Sequence, residues 1–356
     1  MKKHNFSAGP CILPQEVFEK SAQAVLNFNN SGLSILEISH RSKDFVAVME
    51  EARSLALEFL GLQNKGYQAL FLQGGASLQF VAVAQNLLKI DGKAQYLDTG
   101  TWANGALKEA KRFGEVEIVA SSKEANYNYI PKNFKIEKGA DYFHCTSNNT
   151  IFGTQMKDFP EVECPLVCDM SSDIFSKVLD FSKFDYIYAG AQKNMGAAGT
   201  TLVVVKEEIL GKTNRNIPGI LDIQQQIAKE SMYNTPAVFA VYTCLLTLQW
   251  LKNLGGIAAI EKLNNEKAAL LYNEIDRNPL FRGIAVPEDR SVMNATFALV
   301  DENHEALFNS IWKEANVSGL NGHRSVGGYR ASMYNALPIE SVQVLVDAMQ
   351  ELERKI

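Results

Sequence analysis

The segment from Tyr186 to Gly199 contains a lysine between an apolar strand and a run of small residues. It reads YIYAGAQKNMGAAG, with Lys193 after the strand and Gly196 to Gly199 after the lysine. Small residues let a backbone approach a flat ligand closely. A lysine in this setting is poorly solvated, which lowers its pKa and suits it to Schiff-base chemistry with a carbonyl compound. The alternative is a surface lysine whose amine stays in solvent.

Asp169 is a second residue with distinctive chemistry. It follows the apolar residues Leu166 to Cys168 and precedes two serines, Ser171 and Ser172. An aspartate at the carboxyl end of a parallel strand lies at the edge where ligands of open α/β sheets bind. There it can pair with a protonated pyridine nitrogen, which keeps such a cofactor an effective electron sink. The alternative role is to cap the next turn, which is common for Asp near serines.

A glycine turn, Gly74-Gly75-Ala76-Ser77, separates an apolar strand from a helix. Free amides and the helix dipole at such a point favour phosphate, although a plain tight turn is the alternative. The sequence contains no GxGxxG after a strand and no GxxxxGK[ST], so the turn differs from those that bind dinucleotides and nucleoside triphosphates. Trp102 follows another strand, where it is placed either to stack on an aromatic cofactor or to pack in the core.

Two groups of cationic residues predict a substrate with more than one anionic group. His40 and Arg41 form the first group, and the second comprises His323, Arg324 and Arg330, which lie among several glycines. Arginine is suited to bidentate binding of carboxylate and phosphate. For each arginine taken alone, a solvated surface position is the alternative.

Apolar periodicity alternates between strand and helix along the chain, which predicts an α/β fold with a largely parallel sheet covered on both faces. Apolar runs predict strands at 67–72, 94–97, 116–119, 142–145, 166–169, 186–189 and 201–205. Helical spacing predicts helices at 14–28, 42–60, 77–89, 237–252, 257–276, 304–315 and 338–354. Glycines near 255 mark the expected boundary between a large domain, 14–255, and a smaller C-terminal α/β domain, 256–356, with residues 1–13 packing on the latter.

Length and composition exclude several classes of protein. At 356 residues, two domains are expected, and a net charge of -5 lacks the basic excess that nucleic-acid binding needs. No stretch approaches the length of a membrane span and no apolar leader follows Met1, so we expect a cytoplasmic protein with no membrane partner. The five cysteines form no CxxC, which predicts neither a disulfide framework nor a metal site.

The motifs occur in the order typical of phosphoserine aminotransferases, and the chain resembles that family of class V aminotransferases, whose fold is PLP fold type I. They are NFSAGP at 5–10, SHR at 39–41, GGAS at 74–77, Trp102, NNT at 148–150, DMSS at 169–172, GAQKN at 190–194, NTP at 234–236 and the segment 322–330. The match spans nearly the whole chain. The combination of the lysine with both cationic groups is specific, because other class V members share the lysine but not both cationic groups.

The resemblance implies pyridoxal 5′-phosphate as the cofactor and a homodimer with composite active sites. Lys193 would bind the cofactor and shuttle the proton, and Asp169 would pair with the ring nitrogen. The other implied cofactor-binding residues are Ala76 and Ser77, Trp102, Thr150 at the ring hydroxyl, Gln192, and Asn234 and Thr235 from a partner subunit. The implied substrate-binding residues are Arg330 for the α-carboxylate and His40, Arg41, His323 and Arg324 for the distal phosphate or carboxylate.

Two positions depart from the family pattern. Ala8 stands where many members have serine, which removes a hydroxyl contact to substrate but leaves the backbone. Ala76-Ser77 replaces the Gly-Arg of some members, which removes one charge near the cofactor phosphate and keeps the amides.

The implied reaction is reversible amino transfer from L-glutamate to 3-phosphooxypyruvate, giving O-phospho-L-serine and 2-oxoglutarate in serine biosynthesis. Family members also aminate 3-hydroxy-2-oxo-4-phosphooxybutanoate in pyridoxal phosphate biosynthesis. One alternative, a cysteine desulfurase-like lyase, needs a mobile cysteine in the C-terminal half, whereas the last cysteine, Cys244, lies in a predicted helix. Another is a catalytically silent PLP-fold binding protein, which the presence of Lys193, Asp169 and both cationic groups disfavours.

Overall fold

A seven-stranded sheet lies at the centre of the larger part of the molecule. The structure is a computed structural model that describes residues 3–356. The strands are β1 (His4–Asn5), β2 (Tyr67–Leu72), β3 (Lys93–Asp98), β4 (Glu115–Ser121), β5 (Tyr142–Thr146), β6 (Asn148–Asn149), β7 (Thr154–Gln155), β8 (Leu166–Asp169), β9 (Tyr186–Gly190), β10 (Thr201–Lys206), β11 (Phe281–Gly283), β12 (Asn294–Leu299), β13 (Val317–Ser318) and β14 (Tyr329–Ser332). The helices are α1 (Gln15–Leu26), α2 (Lys43–Leu60), α3 (Gly75–Leu87), α4 (Thr101–Ala110), α5 (Ala191–Asn194), α6 (Ile223–Ala228), α7 (Val238–Asn253), α8 (Gly256–Arg277), α9 (Glu305–Glu314) and α10 (Ile339–Lys355).

The central sheet has the strand order β2-β10-β9-β8-β5-β3-β4. The strands from β9 to β4 are mutually parallel, whereas β10 runs antiparallel to both β9 and β2. The predicted α/β class with a mostly parallel sheet is therefore confirmed, and the reversal of β10 is a difference from a fully parallel arrangement. The carboxyl ends of β3, β5, β8 and β9 consequently meet at one edge of the sheet.

Hydrophobic side chains cover both faces of this sheet. On one face, α2 and α7 contribute Phe45 and Leu248, and on the other, α3 and α4 contribute Phe80 and Leu107. Local signals set the helix ends. For example, α2 begins after Ser42, whose hydroxyl accepts the N–H of Phe45, and ends at Gly61 in the left-handed conformation.

A separate C-terminal core contains Phe297, Phe308 and Leu345, and it is enclosed by the sheet β11-β12-β14 and by α8, α9 and α10. The long helix α8 joins the two parts of the molecule. Its first turns, at Ile257, pack in the core of the large sheet, and its later turns, at Leu271, pack in the C-terminal core. The predicted domain boundary at residue 255 stays a prediction.

The N-terminal segment packs with the C-terminal core. Strand β1 pairs in parallel with β13, and Phe6 and Ile12 are buried in that core. The prediction that residues 1–13 pack there also covers residues 1 and 2, which lie outside the described residues.

Among residues 3–356, no helix is long and apolar enough to cross a membrane. Within the same residues, no group of three His, Cys, Asp or Glu side chains is arranged to hold a metal ion.

Candidate active site

Asp169 and Lys193 lie at the same edge of the sheet because they follow neighbouring parallel strands. Asp169 ends β8 and lies opposite Tyr188 of β9, and Lys193 belongs to α5, which begins directly after β9. The two groups interact electrostatically, since Asp169 raises the pKa of Lys193 and Lys193 lowers the pKa of Asp169. The fold therefore brings together the two residues that the sequence places in different segments.

The Lys193 amine is enclosed by side chains from other parts of the chain. Its Nζ donates a hydrogen bond to Thr150 Oγ1 at 2.7 Å and lies 5.5 Å from the centre of the Trp102 ring. Burial lowers the pKa of Lys193 to about 8, against the opposing charge of Asp169 and with a smaller contribution from Arg330. At neutral pH, a useful fraction of this amine is therefore unprotonated, which is the form that attacks a carbonyl group.

The small residues after Lys193 pack against helix α7. A Cβ atom at Gly196 would lie 2.6 Å from Cys244 Sγ, and one at Gly199 would lie 3.4 Å from Ala240 Cβ. Gly196 therefore allows the segment after α5 to pack closely on α7, a packing role that the sequence analysis did not predict. The prediction that this run lets the backbone approach a flat ligand stays a prediction.

Asp169 caps the next turn, and its second carboxyl oxygen is left for another partner. The side chain is buried, and Oδ1 accepts the backbone N–H of Ser171 at 2.9 Å, which is the predicted turn cap. Burial raises the pKa of the Asp169 carboxyl, although Lys193 and Ser171 lower it. A cationic group against the second oxygen would offset the cost of burying this charge, so the carboxyl fits a protonated pyridine nitrogen.

The first turn of α3 presents backbone amides at the same edge. Gly74 precedes it with φ 95°, and a Cβ there would lie 2.4 Å from Leu78 Cδ2, so the turn requires glycine. No side chain caps this end of the helix, and Ala76 and Ser77 lie in its first turn. These amides, together with the helix dipole, fit a phosphate group.

Asn234 lies beside this glycine turn in its own chain. Its Nδ2 donates to Gln73 Oε1 at 2.7 Å, and both Asn234 and Thr235 are exposed. Their predicted contact with the cofactor of a partner subunit stays a prediction. Gln192 is half-buried next to Lys193, and its carbonyl accepts the N–H of Cys11 at 3.1 Å.

The second cationic group lies close to Lys193. Arg330 Nη1 donates to the carbonyl of Thr150 at 3.4 Å, and its Nε is buried without a hydrogen-bond partner among the described residues. Burial lowers the pKa of Arg330. The pKa of His323 is also lowered, first by burial and then by the charges of Arg330 and Arg324. An anion would satisfy the Arg330 guanidinium and relieve the repulsion among these residues.

The first cationic group is not joined to this cluster within one chain. Arg41 is exposed just before α2, and its backbone N–H donates to Ser39 Oγ at 3.2 Å. In the part of the chain that the structure describes, no hydrogen bond, ion pair or ring contact links His40 or Arg41 to Lys193 or Arg330.

The sequence did not predict how the N-terminal segment covers α5. The Cys11 thiol contacts the carbonyl of Lys193, and Tyr334 donates its hydroxyl hydrogen to the carbonyl of Ala8 at 2.8 Å. The NFSAGP motif at 5–10 was the available signal. Asn194 and Asn335 were also missed as a pair, because buried asparagines follow no periodic pattern.

The chain is similar over its full length to known aminotransferases. It matches the family described as aminotransferase class-V over residues 3–345. The phosphoserine aminotransferase of Flavobacterium psychrophilum is 75% identical over 356 residues, which is 100% of both chains. The solved phosphoserine aminotransferase from Bacillus circulans subsp. alkalophilus has 42% identity and a TM-score of 0.96, with 99% of each chain covered. The PLP-bound phosphoserine aminotransferase from Trichomonas vaginalis has 38% identity and a TM-score of 0.93, with coverage of 98% of this chain and 100% of that chain.

Proposed function

The chain belongs to the class-V aminotransferases, and we propose that it transfers the amino group of L-glutamate to 3-phosphooxypyruvate, giving O-phospho-L-serine and 2-oxoglutarate in serine biosynthesis. The observation that carries this proposal is the Lys193 amine, 2.7 Å from Thr150 Oγ1 and within the electrostatic reach of Asp169 and Arg330. Identities of 75% and 72% to phosphoserine aminotransferases over the full length of the chain support the substrate class.

The residues at this edge of the sheet fit pyridoxal 5′-phosphate, which when bound supplies an electron sink for bond changes at the substrate α-carbon. The buried Asp169 carboxyl is suited to hold a proton on the ring nitrogen, and Trp102 is suited to lie against the ring. Thr150 Oγ1, which accepts a hydrogen bond from Lys193 Nζ, would bond the ring hydroxyl. The amides of Ala76 and Ser77, with Gln192, are suited to hold the phosphate.

Lys193 serves as the attachment point for the cofactor and as the base in this proposal. Burial lowers the pKa of Lys193 to about 8, so part of this amine is unprotonated near neutral pH and able to accept a proton from the substrate and return it. The hydrogen bond to Thr150 Oγ1 shows that the amine lies beside the hydroxyl that would bond the ring of the cofactor.

Arg330 is the residue that binds the substrate α-carboxylate in this proposal. Its unpaired, buried Nε supports this role, because a carboxylate would provide the missing acceptor. His323 and Arg324 bind the distal phosphate or the side-chain carboxylate of glutamate. Arrival of that anion would raise the pKa of His323, since it opposes the cationic neighbours that now lower it.

We also infer that the enzyme works in the cytoplasm as a homodimer with composite sites. The segment before His40 and Arg41 exposes large apolar side chains, with Leu33 48% and Leu36 65% exposed, as is typical of an interface. In a twofold dimer, each chain would bring His40 and Arg41 to the site of the other chain, together with Asn234 and Thr235.

The proposal extends to a second substrate, 3-hydroxy-2-oxo-4-phosphooxybutanoate, in pyridoxal phosphate biosynthesis. That compound also combines a 2-oxo acid with a distal phosphate, which are the groups assigned to Arg330 and to His323 with Arg324. Because Arg324 is exposed, this end of the anion site has room for a substrate with one more carbon between the 2-oxo acid and the phosphate.

The desulfurase alternative receives no support from the cysteine positions. Cys244 is buried inside α7, and burial raises its pKa well above the usual range, so it offers no nucleophilic thiolate. The second alternative, a catalytically silent binding protein, is distinguished from an enzyme by the following experiment.

The proposal is tested with purified protein loaded with pyridoxal 5′-phosphate. L-Glutamate should shift the visible absorption band, and kcat/KM for O-phosphoserine should exceed that for serine by about a hundredfold or more, because serine would leave the cationic groups assigned to the phosphate unpaired. Serine is the matched control, since it differs only by the phosphate. Equal kcat/KM values for O-phosphoserine and serine would contradict the proposed substrate. An absorption band that glutamate leaves unchanged would favour the catalytically silent binding protein.

A further inference from the structure

The asparagine that follows Lys193 connects α5 to two distant parts of the chain. Asn194 Nδ2 donates to the carbonyl of Ile174 at 2.6 Å, and its Oδ1 accepts the backbone N–H of Asn335 at 2.9 Å. Both asparagines are 6% exposed. Because a carboxamide both donates and accepts, one side chain ties the lysine helix to the turn beyond Asp169 and to the chain beyond β14.

Asn335 makes a second set of contacts to the same turn. Its Nδ2 donates to the carbonyl of Phe175 at 3.0 Å, and its Oδ1 accepts from Asn264 Nδ2 at 2.9 Å. Asn264, in α8, also donates to the carbonyl of Ser176 at 3.1 Å. We call Asn194, Asn264 and Asn335 the asparagine clasp. It joins the C-terminal core to the edge of the large sheet through buried hydrogen bonds, which are costly to leave unmade.

The clasp is joined to Arg330 by a short segment that is itself held. Lys267 Nζ donates to the carbonyls of Met333 at 3.1 Å and Tyr334 at 2.8 Å. The N–H of Met333 in turn donates to Met293 O at 2.7 Å. The chain between Arg330 and the clasp therefore has little freedom to shift relative to α5.

We propose that Asn194 and Asn335 are positioning residues that fix Arg330 relative to Lys193 and so set the affinity for the substrate α-carboxylate. The inference rests on the proposed role of Arg330. A bidentate contact depends on accurate placement of the guanidinium, and a displacement of about 1 Å is enough to weaken it strongly. Neither asparagine touches the substrate or the cofactor in this proposal.

The test compares Asn194→Ala and Asn335→Ala with Asn278→Ala in the cofactor-loaded dimer. Asn278 is a matched control, because it is buried and donates to Glu274 Oε1 and Met349 O. It lies at the end of α8, about 20 Å from Asn264 at 1.5 Å per residue. All three variants should lower Tm. Both clasp variants should raise KM for L-glutamate about tenfold with kcat reduced less than threefold, on the scale of lost substrate positioning.

A readout without turnover accompanies the kinetics. Calorimetry with glutarate, a dicarboxylate that has no amino or keto group, should give a Kd about tenfold weaker for both clasp variants, matching the KM change, and within about twofold of wild type for Asn278→Ala. If the clasp variants lower Tm but keep glutarate affinity and KM like the control, their role is structural only and the inference fails.

Two further variants keep the outcomes distinct. If Arg330→Gln leaves glutarate binding unchanged, the proposed role of Arg330 is wrong. If Arg330→Gln weakens binding but the clasp variants do not, the inference alone is wrong.

Should the alanine variants fail to fold, Asn264→Ala removes one partner of Asn335 and leaves both contacts of Asn194. It should weaken glutarate binding in the same direction, and unchanged binding would contradict the inference.

Discussion

The two ends of the proposed site are held in different ways. Around Lys193 and Asp169, the partners are buried groups from distant segments of one chain, such as Thr150. Arg41 and Asn234 are exposed, and Arg41 has only its own turn as a described partner. The surroundings of Lys193 and Asp169 are therefore complete within one chain, whereas the exposed residues are the ones that the proposed dimer would bring to the site of a second chain.

Removal of Lys193 should have the largest effect on activity, because this residue is the proposed attachment point of the cofactor. Lys193→Ala should lose borohydride-fixable cofactor and reduce kcat by about a thousandfold or more, within the range for loss of a general acid-base group. Mass spectrometry after borohydride treatment and steady-state rates measure both effects.

Lys157→Ala is the matched control for that variant. Burial also lowers the pKa of Lys157 to about 8, but its Nζ donates to the carbonyl of Arg290 at 2.7 Å, outside the proposed site. It should keep the covalent cofactor. A reducible adduct in Lys193→Ala would show that another amine carries the cofactor.

A mixed dimer tests the exposed end. Lys193→Ala and Asn234→Asp homodimers should both be inactive, the second because its carboxylate repels the cofactor phosphate. In the mixed dimer, one site combines an intact Lys193 from one chain with an intact Asn234 from the other. Co-expression with two tags and isolation of the mixed species should recover about half of the wild-type activity, because twofold symmetry gives two sites.

The opposite result has a clear meaning. A mixed dimer that assembles and folds but stays as inactive as its parents would place Asn234 in the site of its own chain. Its contact with Gln73 of the same chain would then be the functional one.

The smallest expected effect is a shift in the pKa of Lys193. Arg330 lowers this pKa and Asp169 raises it, so Arg330→Gln should move it above about 8 and Asp169→Asn should move it below. The pH dependence of the rate of covalent capture of added pyridoxal 5′-phosphate should shift accordingly. Arg324→Gln is the control, since Arg324 does not contribute to the pKa of Lys193. Shifts of the same sign in the first two variants would contradict the electrostatic description.

Much of the fold was predictable because buried strands are continuous apolar runs. Tyr67–Leu72 and Leu166–Asp169 were predicted with the bounds that the structure has. The antiparallel direction of β10 was not, since apolar periodicity carries no direction. The packing of Gly196 against Cys244 of α7 was not predicted either, because composition does not show which neighbour a small residue faces.

The candidate site was predictable in its residues and only partly in its arrangement. The lysine, the strand-end aspartate and the arginine were found from residue type and the resemblance, and the structure brings them close together. The asparagine clasp was missed, because its members are far apart in the chain and their contacts depend on tertiary packing. Sequence order also does not show which chain of a dimer receives Arg41.

The position of β2 has a consequence for how the protein forms during synthesis. In the described part of the chain, β2 joins the central sheet only through β10. The register pairs Leu72 with Thr201, so β2 can dock only after the ribosome has released residues up to 206. In contrast, β9 and β10 are adjacent strands that follow each other closely in the sequence, and Lys193 lies in the segment that connects them. The glycine turn after β2, although made early, is therefore fixed at the edge of the sheet only after the chain has emerged up to residue 206.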